Sequence, residues 1–263
     1  MRGRVLIIAG SDSGGGAGIQ ADIKTILALG SHAMTAITAL TAQDTNGVHA
    51  IHPIPPAFVR QQITVVLNDL GADVIKIGML GTAPIIEAVA TELQGRALPL
   101  VLDPVMVAKG GASLLGPAAI EALRALLPQA TLLTPNLPEA EALLGHPIQD
   151  PREAAKALLA QGPGAVLLKG GHGHGSTIQD ILATPTGIEV FESPRIATRH
   201  THGTGCTLAS AIAAGLAQSL PLRAAVTQAL AYVQAAIRAA PGYGTGHGPL
   251  NHAVWITPPQ APV

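Results

Sequence analysis

The run Thr201-His202-Gly203-Thr204-Gly205-Cys206 carries the only cysteine of the chain and leads straight into a stretch of small residues, 207–214. Its two glycines let backbone N–H groups converge on one point. The helix start that follows adds a partial positive charge there. Such a cup suits a transferring phosphoryl group. Cys206 at its lip either takes part in the chemistry or fills space at a helix start.

Other polar groups stand where apolar runs end. Gly10-Ser11-Asp12-Ser13-Gly14-Gly15-Gly16-Ala17-Gly18 follows the first run. It fits neither G-x-G-x-x-G nor G-x-x-x-x-G-K-[ST], so a plain dinucleotide site is disfavoured. Its glycines serve a tight strand–helix turn or the close approach of a ligand. Gln43 ends the second run. Its amide can give and take a hydrogen bond in one plane, matching the amino and ring-nitrogen edge of an aminopyrimidine, although a surface turn also accommodates a glutamine.

Asp103, before Pro104, and Glu139, in Asn136-Leu137-Pro138-Glu139, follow two further runs. Carboxylates at two adjacent strand ends can hold Mg²⁺, chiefly through water. Singly, Asp103 reads as a turn residue and Glu139 as a first-turn acid complementing a helix dipole. Lys169, ending a buried run before Gly170-Gly171, suits a phosphate as a point charge. The pairs His172/His174 and His200/His202 are too few ligands for a transition-metal site.

The elements that must carry these groups alternate. Strands are expected at 5–9, 34–40, 74–77, 100–102, 131–134 and 165–168. Helices are expected at 18–29, 57–70, 84–93, 117–126, 138–143 and 152–161. Thr82 and Asp150 are placed as N-caps, and Gly30, Gly71, Gly145 and Gly162 as helix stops. Apolar runs without polar interruption suit strands covered on both faces, so the βαβ rhythm predicts a mainly parallel three-layer α/β fold. A two-strand excursion follows at 177–182 and 187–191, then helices at 205–218 and 222–239. Every candidate polar group then falls at the carboxyl end of a strand, where open α/β sheets place ligands.

The 263 residues carry 15 basic and 16 acidic side chains, a formal charge of −1, which points to no nucleic-acid or membrane partner. Aromatic residues at 2% disfavour a base-stacking surface. Mean hydropathy of +0.40 comes largely from alanine-rich helices, and no window approaches the ~18 apolar residues of a membrane span. The apolar run near the start is shorter than the ~7–15 residues of a signal peptide, so it reads as a buried strand. One cysteine forms no intramolecular disulfide, in keeping with a cytoplasmic setting. The chain reads as one domain over 1–257 with a disordered tail, 258–263. Gly110-Gly111 reads as a flexible lid.

The motifs 10–22, Lys76-Ile77-Gly78-Met79-Leu80, Thr134-Pro135-Asn136-Leu137-Pro138-Glu139-Ala140, Lys169-Gly170-Gly171-His172, His202-Gly203-Thr204-Gly205-Cys206-Thr207-Leu208 and Gly246-His247-Gly248-Pro249-Leu250-Asn251-His252 occur in this order. Together they resemble the bacterial hydroxymethylpyrimidine/phosphomethylpyrimidine kinases of thiamine biosynthesis, a branch of the ribokinase-like superfamily. The resemblance spans about residues 4 to 256. It implies a three-layer α/β/α kinase using ATP and Mg²⁺, with a monovalent-cation requirement left open, and a homodimer. It also implies phosphorylation of 4-amino-5-hydroxymethyl-2-methylpyrimidine, then of its monophosphate.

By that resemblance Gln43 reads the amino edge, while Gly10, Ala17, Met79 and Val105 line the ring and Asp22 contacts the hydroxymethyl group. Asn136, Lys169, Thr201 and His202 hold ATP phosphates, and Glu139 and Asp103 organise the Mg²⁺. Gly203, Thr204, Gly205 and Cys206 form the anion hole. Many ribokinase-like kinases carry an aspartate where this chain has Cys206. The thiol acts as a base in the first transfer, or serves the second by being uncharged beside a phosphate. A pyridoxal or pyridoxine kinase, alone or combined with this activity, and a non-catalytic pyrimidine-binding regulator are the competing readings.

Overall fold

The computed structural model describes residues 1–106, 115–172 and 175–256. The expected lid glycines, His174 and the tail lie outside them. Among the described residues, nine strands form one sheet in the order β3-β2-β1-β4-β5-β6-β7-β8-β9. In chain order these are β1 (Arg4–Asp12), β2 (His32–Gln43), β3 (Val48–Pro53), β4 (Val74–Ile77), β5 (Leu100–Leu102), β6 (Leu132–Leu133), β7 (Val166–Leu168), β8 (Thr177–Thr184) and β9 (Gly187–Pro194). The pairs from β2 through β1, β4, β5 and β6 to β7 are parallel, while β3, β8 and β9 run antiparallel to their neighbours.

Helices cover both faces because β1 is apolar on both. Leu6 and Ile8 look into one core with α2 (Pro56–Asp69), α3 (Ala83–Leu93), α4 (Pro117–Leu126), α5 (Leu137–Leu144) and α6 (Pro151–Leu159). Val5, Ile7 and Ala9 look into the other with α1 (Gly18–Ala28), α7 (Thr204–Ala217) and α8 (Leu222–Arg238). Alternate residues of a strand point to opposite faces, so one apolar run serves two layers. No helix among the described residues is long and apolar enough to cross a membrane.

The expected elements are present with ends shifted by a few residues, and one strand is an addition. Val48–Pro53 is exposed over most of its length and contains two histidines and a proline, so it carries no apolar signal. It forms as an edge strand because β2 runs on to Gln43 and offers it a partner. Asp150 caps α6 through Arg152 N–H, whereas Thr82 makes no side-chain cap bond. The four stop glycines have φ of 83°, 65°, 79° and 114°.

Candidate active site

The carboxyl ends of β1, β2, β4, β5, β6 and β7 and the start of α7 surround one cavity of about 350 Å³. Of the residues singled out from the sequence, all line it except Asp22: Gly10, Ala17, Gln43, Met79, Asp103, Val105, Asn136, Glu139, Lys169, Thr201, His202, Gly203, Thr204, Gly205 and Cys206. The β1–β2 register slips between Ala9 and Ser11, which releases the chain into the glycine loop at this point.

At one end stands a compact charge cluster. Lys169 Nζ lies 2.7 Å from Asp103 Oδ1 and 3.7 Å from Glu139 Oε2. Thr134 Oγ1 donates to Asp103 at 3.2 Å. Asn136 and Glu139 form a reciprocal capping box at the start of α5: Asn136 Oδ1 accepts from Glu139 N–H, and Glu139 Oε2 accepts from Asn136 N–H. Glu139 is therefore a cap as well as a site carboxylate, and one geometry serves both. Burial, with Asp103 adding to it against Lys169, pushes the Glu139 carboxyl up to about 7. Burial alone would lower Lys169, but Asp103 and Glu139 raise it, so it is firmly cationic.

Among the described residues no group of three or more His, Cys, Asp or Glu side chains could hold a metal by itself. Two buried carboxylates facing one ammonium are a small set of hard oxygen donors. That set fits Mg²⁺ bound mainly through water and phosphate, rather than a metal caged by protein.

Facing the cluster is the start of α7. Its N-cap Gly203 has φ 80°, and a Cβ there would stand 1.8 Å from Gly16 O. Only glycine lets the two glycine loops touch. At Gly205 a Cβ would lie 3.2 Å from Lys169 Nζ, which brings the helix start against the cluster.

Cys206 lines the cavity in the first turn of α7 and is half-buried. Burial pushes its thiol up to about 12, and Asp22 and Asp103 add to this against Lys76 and the Gly18 backbone. Of the two roles expected for Cys206, this environment favours the uncharged thiol over a base ionised in advance.

Two further expectations change. Asp22 has no solvent access and does not line the cavity. It binds Lys76 Nζ through both oxygens, at 2.9 and 2.8 Å, and accepts from Ser210 Oγ at 2.7 Å. It is thus spent on Lys76 rather than available to a substrate hydroxyl. His202, expected on the ATP phosphates, places Nε2 2.8 Å from Asp12 Oδ2 and 3.2 Å from Gln43 Nε2. Its ring belongs to the Gln43 end.

Lys76, Asp12 and Thr41 also line the cavity without having been singled out. Lys76 sits inside an apolar strand, where a lone charge with no buried partner is costly. That was the available signal. Asp12 lay within a motif and Thr41 two residues before Gln43, but neither gave a separate one.

The phosphomethylpyrimidine kinase family matches residues 12–251. The chain is 54% identical over 256 residues to the thiamine biosynthesis bifunctional protein ThiED of Geobacter sulfurreducens. That match covers 95% of this chain, which spans only 52% of that longer protein. It is 48% identical over 252 residues to the hydroxymethylpyrimidine/phosphomethylpyrimidine kinase of Streptomyces coelicolor, covering 94% of this chain and 93% of that one. In structure it is similar to Bacillus subtilis pyridoxal kinase in its ADP complex, with TM-score 0.90 and 39% identity over 97% of this chain and 98% of that one.

Proposed function

Since the chain belongs to the phosphomethylpyrimidine kinase family, we propose that its cavity transfers the γ-phosphoryl group of ATP to 4-amino-5-hydroxymethyl-2-methylpyrimidine and then to the resulting monophosphate. The fold is ribokinase-like, and the chain is a kinase of hydroxymethylpyrimidine and its phosphate. The observation that carries the two-step reading is the convergence, in one cavity, of the Lys169–Asp103–Glu139 cluster and the Gly203–Cys206 helix start, with Gln43 lining the same cavity.

The residue roles follow from this arrangement. Lys169 and the backbone N–H groups of Gly205 and Cys206 stabilise charge on the transferring phosphoryl group. Asp103, Glu139 and Asn136 would hold Mg²⁺ through water, and a bound Mg²⁺ neutralises charge on the nucleotide phosphates. The substrate oxygen forms the new P–O bond as the bond to ADP breaks. Such a loose transition state asks more for positioning than for a strong base, so the hydroxyl proton leaves late, to an oxygen of the transferred phosphoryl group or to water. In the second transfer the nucleophile is a monoester whose second pKa is near ~6, already ionised at neutral pH. A neutral Cys206 leaves that dianion unopposed.

A second reading is supported by the likeness to pyridoxal kinase: the same site would phosphorylate pyridoxal as well. Incubation with ATP and each alcohol, with the products separated and identified, tests both readings. Mono- and diphosphate from the pyrimidine support the two-step kinase. Product from pyridoxal alone would overturn it. By the family resemblance the assembly is a homodimer, which light scattering on the purified protein would check.

A further inference from the structure

Four side chains meet at the Gln43 end of the cavity, and their protons can be counted. Asp12 Oδ1 accepts from Gly14 N–H at 2.8 Å, and Oδ2 accepts from Gly16 N–H at 3.0 Å and Ala17 N–H at 2.8 Å. Such a carboxylate only accepts, so His202 Nε2, 2.8 Å from Oδ2, holds a proton and donates it. A ring nitrogen carrying a proton has no lone pair with which to accept another. The Gln43 amide reaches to 3.2 Å from this same nitrogen. At the amide's other end, 3.2 Å away, Thr41 Oγ1 already gives its one proton to Ser11 O at 2.9 Å. Thr41 is therefore left as an acceptor.

With Gln43 Nε2 against His202 and Oε1 against Thr41, two donors meet at one end. At the other end, one hydroxyl proton must serve two acceptors. A half-turn of the amide about its last bond relieves both conflicts and moves almost no volume. The ring cannot turn away instead, because it packs on the glycine loop: a Cβ at Gly16 would stand 2.5 Å from His202 Cδ2.

We propose that Asp12, His202 and Thr41 are positioning residues that hold the Gln43 amide with its oxygen toward His202 and its nitrogen toward Thr41. On the pyrimidine-kinase reading, on which this rests, Gln43 then presents an acceptor and a donor in one fixed sense. The exocyclic amino group of the substrate lies toward His202, and the adjacent ring nitrogen lies toward Thr41. The analogue with a 4-oxo group in place of the 4-amino group presents the reverse pattern and is mismatched at both points. Sites that hydrogen-bond their substrate reject such mismatches far more strongly than apolar pockets reject a methylene.

The test compares kcat/KM for the aminopyrimidine alcohol with that for its 4-oxo analogue. Thr41→Val removes the acceptor that holds the amide nitrogen and leaves the side-chain shape nearly unchanged. It should lower the amino-over-oxo preference about 10-fold, mainly through KM, and Thr41→Ser should restore it. Nitrogen NMR of the His202 ring in the full-length protein supplies a readout independent of activity, with His202→Gln identifying the signal. A protonated Nε2 is expected. An unchanged preference in Thr41→Val, or an unprotonated Nε2, would overturn the proposal. Failure of the wild type to phosphorylate either pyrimidine would instead sink the functional reading, while the NMR result would still decide the amide orientation.

Discussion

Lys76 and Asp22 form an ion pair closed to solvent on both sides, with Nζ held by both carboxylate oxygens at 2.9 and 2.8 Å. The pair lies directly beneath the site, since Lys76 lines the cavity floor and Ser210 on α7 donates to Asp22. Burial would lower Lys76, but Asp22 beside it raises it, so the ammonium persists within the sheet. Removing one member strands the other charge. Lys76→Met should therefore cost about 3–5 kcal/mol of stability. The double change Lys76→Met with Asp22→Leu should recover most of that loss, because a buried pair gains little over apolar packing. Denaturant titration of the wild type and the two variants checks this, and equal losses in the single and double variants would refute it.

Cys206, held as a neutral thiol, should resist alkylation. At pH 8 its reaction with iodoacetamide should be at least ~100-fold slower than that of a free thiol of pKa ~8.5. Cys206→Ser should keep both transfers. Cys206→Asp should spare the alcohol and penalise the monophosphate. A charge about 4 Å from the dianion costs roughly 4 kcal/mol per charge pair at effective ε ~20 before screening. After screening, a fall of about 10²-fold in kcat/KM for the monophosphate is expected. Full monophosphate activity in Cys206→Asp would contradict the electrostatic account.

Glu139 makes the metal-free protein pH-sensitive in a defined sense. Its carboxyl is raised in the folded state to about 7 from an ordinary 4.5. Between those values the folded chain binds more protons than the unfolded chain, so this group lowers stability as pH rises through that window. The effect is on the order of 3 kcal/mol at most. Glu139→Gln should flatten that part of the profile, because it removes the titration and keeps an oxygen that can accept from Asn136 N–H. Stability measured from pH 4.5 to 7.5 in the presence of a chelator tests the sign. A profile rising over that window because of Glu139 would be inconsistent with it.

Gly203→Ala should be severe. The added Cβ meets Gly16 O at 1.8 Å and sits at φ 80°. The two glycine loops must part, and activity should fall by at least about 10²-fold, as misplacing a positioning element by ~1 Å does. Circular dichroism separates this from global unfolding. Near-wild-type kcat with a folded spectrum would show that the loop contact is dispensable.

Much of this was legible from the chain alone. The apolar runs 5–9 and 100–102 read as strands buried on both faces, and each polar motif followed such a run, so a shared rim was expected. β3 escaped because an edge strand needs a partner more than an apolar pattern. Asp22 was expected on the substrate because the family resemblance implies it. Its helix instead turns it under the sheet toward Lys76, a contact 54 residues distant in sequence.

The sequence by itself determined the alternation of strands and helices, the family, and the set of groups gathered at one rim. Those follow from local periodicity and from residue types that only a ligand explains. The tertiary structure decided which partner each group spends its hydrogen bonds on. It gave Asp22 to Lys76, His202 to Asp12 and Gln43, and Lys169 to Asp103. It also set the surroundings that favour the protonated form of Cys206, because burial and the charges around a thiol arise only once distant segments pack together.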